Sequence, residues 1–129
     1  MRAVITLSVL PPSVNRMFFN TRVETISGDA RKPINRRIRG RSKTQAYRSW
    51  REAMGWEVKI QNPPTFDTRV KVSVELPMEM LGDADNRLKA CLDLLQHMGV
   101  VTNDKLCDPV SIGRADVSQT TITIEDYAG

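Results

Sequence analysis

The sequence predicts an α+β fold: a small mixed sheet of about four strands with two helices packed on it, in a sandwich-like layout. Residues 69–76, RVKVSVEL, alternate apolar and polar without a break, which is the period of a half-buried strand. Two other stretches carry apolar residues at helical spacing. The elements come in the order β–α–β–α–β–β, and two helices against one sheet face is the economical way to bury them.

Residues 3–9, AVITLSV, are rich in β-branched side chains and read as a strand that Pro11-Pro12 ends. Residues 13–20 read as irregular. Residues 20–42 read as a loop, with room for a short hairpin around Ser27-Gly28-Asp29. Ser42 or Thr44 can cap a helix that runs to about Ile60, with Ala46, Tyr47, Trp50, Met54 and Val58 on one face. Asn62-Pro63-Pro64 stops it. In the strand at 69–76, Val70, Val72, Val74 and Leu76 point to the core. A loop over 77–85 leads to a second helix at 86–98. Its stripe is Leu88, Cys91, Leu92, Leu95 and Met98, with Asp85 as N-cap and Gly99 just past the end. Residues 110–117 and 120–125 read as two strands joined at Ser118-Gln119.

A length of 129 residues fits a single domain over 1–129 that can bury its own core. The two cysteines, Cys91 and Cys107, exclude a disulfide-rich scaffold and a four-cysteine zinc site. One histidine, His97, excludes a Cys₂His₂ finger within the chain. No stretch approaches the roughly 20 apolar residues of a membrane span, and the opening MRAVITLSVL lacks a signal-peptide cleavage site. A soluble, cytoplasmic protein with reduced thiols is expected, without membrane or organic-cofactor partners.

The net charge of +4 hides an asymmetry: residues 1–61 sum to +9 and residues 62–129 to −5. The peak is 31–43, RKPINRRIRGRSK, with seven basic residues and no acid. Such a run is expected to be a mobile loop, either merely solvated or a phosphate-contacting arm. Its arginine surplus favours phosphate, which the guanidinium fork matches.

The chemistry-bearing string is Gly82-Asp83-Ala84-Asp85-Asn86-Arg87-Leu88-Lys89. Asp83 and Asp85, two apart in an extended backbone, point the same way. A strand-to-helix junction of this kind can hold Mg²⁺ through carboxylate oxygens. Lys89, one turn after Asp85, can offset charge that builds on a phosphate. The plainer reading makes Asp85 a cap, Asp83 a loop acid and Lys89 an ion-pair partner of Asp85 or Asp93. Asp104, Asp108 and Asp116 are rivals for a third carboxylate by spacing alone. His97 reads as a cation at a helix C-terminus and Cys91 as a small core residue. Trp50 and Trp56 read as packing residues, with Phe18 and Phe19 as candidates to stack on or wedge between bases.

Together these residues resemble the RusA family of Holliday junction resolvases. Leu10-Pro11-Pro12-Ser13-Val14-Asn15-Arg16 is similar to the family's PPS-x-N-R signature. Residues 42–48, SKTQAYR, are similar to its S-x-x-x-x-Y-R stretch, and Asp83-x-Asp85-Asn86-x-x-Lys89, followed by Gly99 and Asp104, to its D-x-D-N-x-x-K and later aspartate. The resemblance runs from about residue 4 to 126. It implies an Mg²⁺-dependent endonuclease, bacterial or phage-encoded, that acts as a homodimer and resolves four-way DNA junctions by paired nicks in recombination and repair. In that reading Asp83, Asp85 and Asp104 hold one or two Mg²⁺ and Lys89 completes the catalytic set. Asn15, Arg16, Arg36, Arg37, Arg39, Arg41, Lys43, Arg48 and Asn86 contact DNA. Two paired nicks call for two symmetric sites, which agrees with a dimer. The segment 20–41 is longer than in compact members, and Asn103 stands where some carry an acid. The alternatives are a non-catalytic nucleic-acid-binding module and a nuclease of the same fold that cuts flaps or forks.

Overall fold

The computed structural model describes residues 1–13, 18–20, 23–26, 34–37 and 41–127, with side chains described outside 14–43. Its centre is a four-stranded mixed sheet. The strands are β1 (Arg2–Leu7), β6 (Val70–Pro77), β7 (Cys107–Ala115) and β8 (Thr120–Asp126). Their order is β1-β8-β6-β7. β8 pairs antiparallel with β1 and β6, and β6 pairs parallel with β7. The last two strands in sequence are therefore not neighbours.

Strands β1, β6 and β8 bury alternate residues: Ala3, Ile5 and Leu7; Val70, Val72, Val74 and Leu76; Thr120, Ile122 and Ile124. One sheet face is thus apolar, and both helices cover it. Helix α1 (Gln45–Gln61) buries Tyr47, Trp50, Met54, Gly55 and Val58. Helix α2 (Leu88–His97) buries Ala90, Cys91, Leu94 and Leu95. Leu88, Leu92 and Met98 flank that stripe half-buried, so its centre lies at Leu94 and Ala90 rather than at the helix ends. Ala46, expected on the buried face of α1, is exposed. The helices approach closely at Gly55, where a Cβ would stand 2.9 Å from the Met98 sulfur. Tyr47, fully buried, donates its hydroxyl to Asp93 on α2.

The helix ends follow local chemistry. Thr44 Oγ1 accepts the Tyr47 N–H at 3.1 Å, and Asn62 closes α1 in the left-handed region at φ 50°. Gly99 ends α2 at φ 72°. The expected Asp85 cap is not there. The chain enters α2 through a 3₁₀ turn, Asp85–Arg87, whose own cap Ala84 is helical and bonds through its backbone to Arg87 N–H at 3.0 Å. The end of α1 also closes the outer edge of β1. The Gln61 amide accepts from Thr6 N–H at 2.9 Å and donates to Thr6 C=O at 2.7 Å, and Glu57 accepts Ser8 N–H at 2.9 Å.

The stretch expected as loop contains short strands. β2 (Phe18–Asn20) pairs with β5 (Arg41–Lys43), and β3 (Val23–Ile26) pairs with β4 (Ile34–Arg37), all antiparallel. Val23, Thr25, Ile26 and Ile34 are β-branched and suit a ladder. In the sequence the charge density of this segment masks that signal.

Candidate active site

The loop after β6 carries the two aspartates, and two arginines fix its shape. Arg114, on β7, donates to Met80 C=O from Nε at 3.2 Å and from Nη2 at 3.0 Å, and to Gly82 C=O at 2.5 Å. Arg87 donates to Leu81 C=O at 3.3 Å and to Pro11 C=O at 2.6 Å. Met80 is buried beneath them, and Gly82 takes φ +90°, a conformation that suits glycine. Three successive carbonyls are thereby held by guanidinium groups, and the N-terminal segment is tied to the loop. Neither arginine was singled out from the sequence. Arg87 sits at a variable position of the D-x-D-N-x-x-K string, and Arg114 looks like the polar face of a strand.

With the carbonyls taken and no capping duty, Asp83 and Asp85 are exposed. Neither forms an ion pair or side-chain hydrogen bond among the described residues. Lys89 is exposed one turn on and pairs with neither Asp85 nor Asp93 among the described residues. Asp93 instead meets Tyr47 and, at 3.5 Å, Arg51. The capping and helix-pair roles weighed for Asp85 and Lys89 are therefore not the ones they play.

A cavity of about 690 Å³ opens beside Asp83. Its walls bring three separate stretches together: Pro12 and Ser13 from the N-terminal segment, Ala46 and Trp50 from α1, and Gly82, Asp83, Asn86 and Arg87 from the loop and turn. Trp50 is held as a fixed wall, with its indole N–H on Val9 C=O at 3.1 Å and its ring stacked on Tyr47 at 6.1 Å.

Asp104 is elsewhere. It opens the 3₁₀ turn Asp104–Leu106, and its N–H donates to Gln96 Oε1 at 2.8 Å. Gln96 lies in the last turn of α2, and because β6 and β7 run parallel, Asp104 before the start of β7 and Asp83 after the end of β6 lie at opposite ends of the sheet. Among the described residues no three Asp, Glu, His or Cys side chains of one chain gather as a metal site. Asn103 caps its own turn, accepting Lys105 N–H at 3.0 Å, which suits asparagine at that position.

The rivals are ordinary surface acids. Asp108 pairs with Arg69 at 3.5 Å, and Asp116 is exposed in the turn between β7 and β8. Both thiols are held protonated: burial pushes the Cys91 pKa up to about 12, and burial together with the Asp104 charge pushes that of Cys107 up to about 11. Cys107 opens β7. Arg48 is exposed on α1. Asn15, Arg16, Arg39 and the side chains of Phe18, Phe19, Arg36, Arg37, Arg41 and Lys43 lie outside the described residues.

A family model described as endodeoxyribonuclease RusA matches residues 25–125. The chain belongs to the RusA family. The match spans Asp83, Asp85, Asn86, Lys89 and Asp104 and begins downstream of Pro12 and Ser13, which the fold brings to the same cavity independently. RusA proteins are endodeoxyribonucleases that act on branched DNA, and the α+β architecture and family inferred from the motifs both stand. No curated protein sequence matches the chain. No described helix is long and apolar enough to cross a membrane.

Proposed function

We propose that this protein is an Mg²⁺-dependent endodeoxyribonuclease that resolves Holliday junctions by paired symmetric nicks, in recombination and repair, as a cytoplasmic homodimer. The observation that carries this reading is the meeting of three motifs around one cavity, with the exposed Asp83 carboxylate on its wall and the exposed Asp85 two residues on, neither paired among the described residues.

Asp83 and Asp85 fit a hard cation in the chemistry of their donors: two exposed carboxylates on a backbone that two arginines hold still. They are a partial set, because Asp104 is at the far end of α2. A second copy supplies the missing acid if the two chains meet along β7. β7 is the edge strand at the opposite side of the sheet from β1. Unpaired sheet edges are templates for pairing, and a two-fold axis runs like strands antiparallel. Asp104 precedes the start of β7, whereas Arg114, near its end, holds the Asp83 loop. Antiparallel pairing of β7 with its symmetry mate therefore carries one chain's Asp104 toward the other chain's Asp83 and Asp85.

Mg²⁺ bound there supplies a polarised water and a counter-charge for the scissile phosphate. The protein's own groups do the rest. Asp83 and Asp85 are the carboxylates that would hold the ion. Lys89, free of ion pairs among the described residues, faces charge developing on a phosphate oxygen. The basic half of the chain holds the backbone of the arms, so binding weakens with salt.

A labelled four-way junction, a fork and a plain duplex, each with and without Mg²⁺, test the reading. Symmetric nicks near the crossover, only with Mg²⁺ and only on the junction, are expected. Binding without cutting identifies a non-catalytic module, and cutting of the fork alone identifies a flap or fork nuclease.

A further inference from the structure

The cavity beside Asp83 is larger than two carboxylates and a phosphate require. At about 690 Å³ it falls in the range of small-molecule sites. Its chemistry is divided. Pro12, Trp50 and Leu81 supply flat or apolar surface, while Ser13 and Asn86 supply polar groups that hydrogen-bond to no described residue. Leu81 is 85% exposed at its mouth, although the backbone beside it is held at both neighbours and at its own carbonyl. A pocket whose walls are about equally apolar and polar, opening beside the proposed cutting site, fits a nucleobase, which has apolar faces and a polar edge. The asparagine amide presents a donor and an acceptor side by side, the geometry with which Asn reads a base edge. The Ser13 hydroxyl can act as either.

We propose that this cavity receives an unstacked nucleobase from the branch point and that Asn86 and Ser13 read its edge. The inference rests on the endonuclease reading above and deepens it, because it assigns where sequence preference at the cut would arise. Bases at a branch point have lost a stacking neighbour, so extruding one costs less there than in continuous duplex. Seating the base beside Asp83 also fixes which phosphate lies next to the aspartates.

The test uses the full chain and junctions carrying 2-aminopurine at a branch-point position, in Ca²⁺ so that the DNA stays uncut. Binding of the wild-type protein should raise the fluorescence as the base leaves the stack. Ala46→Phe, which fills the cavity from an exposed helix position, should lose most of that rise while junction affinity stays within about threefold. On junctions with a mobile core in Mg²⁺, Asn86→Ala and Ser13→Ala should flatten the spread of cut positions by about tenfold relative to wild type, the size of one lost base-edge contact. An unchanged cut distribution in both variants, or an undiminished fluorescence rise with Ala46→Phe, overturns the proposal. Wild-type protein that shows the fluorescence change and its loss in Ala46→Phe, but cuts nothing, supports the pocket and refutes the endonuclease reading. The two failures are thereby separable.

Discussion

The two ends of α2 hold their aspartates in opposite ways. At the N-terminal end a 3₁₀ turn satisfies the backbone on its own, and arginines from β7 and from the turn take the loop carbonyls. The Asp83 and Asp85 carboxylates are left for another partner. At the C-terminal end Asp104 is built into a small capped turn against Gln96 and Asn103. In the proposed reading one end is a pair of metal ligands and the other the third acid, and because α2 separates them within one chain, the site proposed is one that two chains complete.

The sharpest way to break this contrast is to neutralise one end. Asp83→Asn should cut junction cleavage by about 10³-fold or more, as loss of a group that stabilises developing charge does, and junction binding in a gel-shift assay should persist. Cleavage within tenfold of wild type at saturating Mg²⁺ would remove Asp83 from the site.

Arg114→Ala tests whether the loop is held from β7. It strips three hydrogen bonds from a charged donor, each worth about 1.5–3 kcal/mol in place. Cleavage should fall roughly 10–100-fold by misplacement of the aspartates, and Arg114→Lys should recover only part of it because lysine lacks the fork. Equal loss of stability and activity, with full recovery by lysine, would make the arginine a structural prop only.

Gly55→Val probes the region that should not matter for chemistry. A Cβ here would stand 2.9 Å from the Met98 sulfur, so a β-branched side chain must displace that thioether, and the overpacking should cost about 1 kcal/mol in a urea melt. Cleavage per folded molecule should stay unchanged.

The smallest effect at neutral pH concerns the thiol under α2. The fold disfavours the Cys91 thiolate, raising its pKa from 9.0 to about 12, so the unfolded chain loses that proton first. The stabilising contribution is complete below about pH 9 and falls by about 1.4 kcal/mol for each pH unit above it, toward pH 12. Chemical denaturation at pH 8 and pH 10 should show this decline, and Cys91→Ala should show less of it.

Much of this was legible from residue order. The strict alternation at Val70, Val72, Val74 and Leu76 marked the strand, Thr44 and Asn62 marked the ends of α1, and Gly99 the end of α2. The paired aspartates stood out as candidates because their spacing is local. What the sequence hid is non-local. Arg87 and Arg114 work through backbone carbonyls remote in sequence, which no periodicity records. The cap expected of Asp85 failed because a 3₁₀ turn met the same need through the backbone. Asp104 had the right spacing in the string but the wrong end of a helix in space. The intervening helical stripe carried that information, since about ten helical residues already imply roughly 15 Å.

The composite site is tested most directly by mixing two inactive proteins. Asp83→Asn and Asp104→Asn homodimers should each fail to cut. A heterodimer of the two, formed by co-expression with distinct tags, should contain one site with both substitutions and one intact site, and should nick a single strand of the junction. If each chain instead held its own three aspartates, both sites of the heterodimer would be defective, and a mixture as inactive as its parents would contradict the two-chain site.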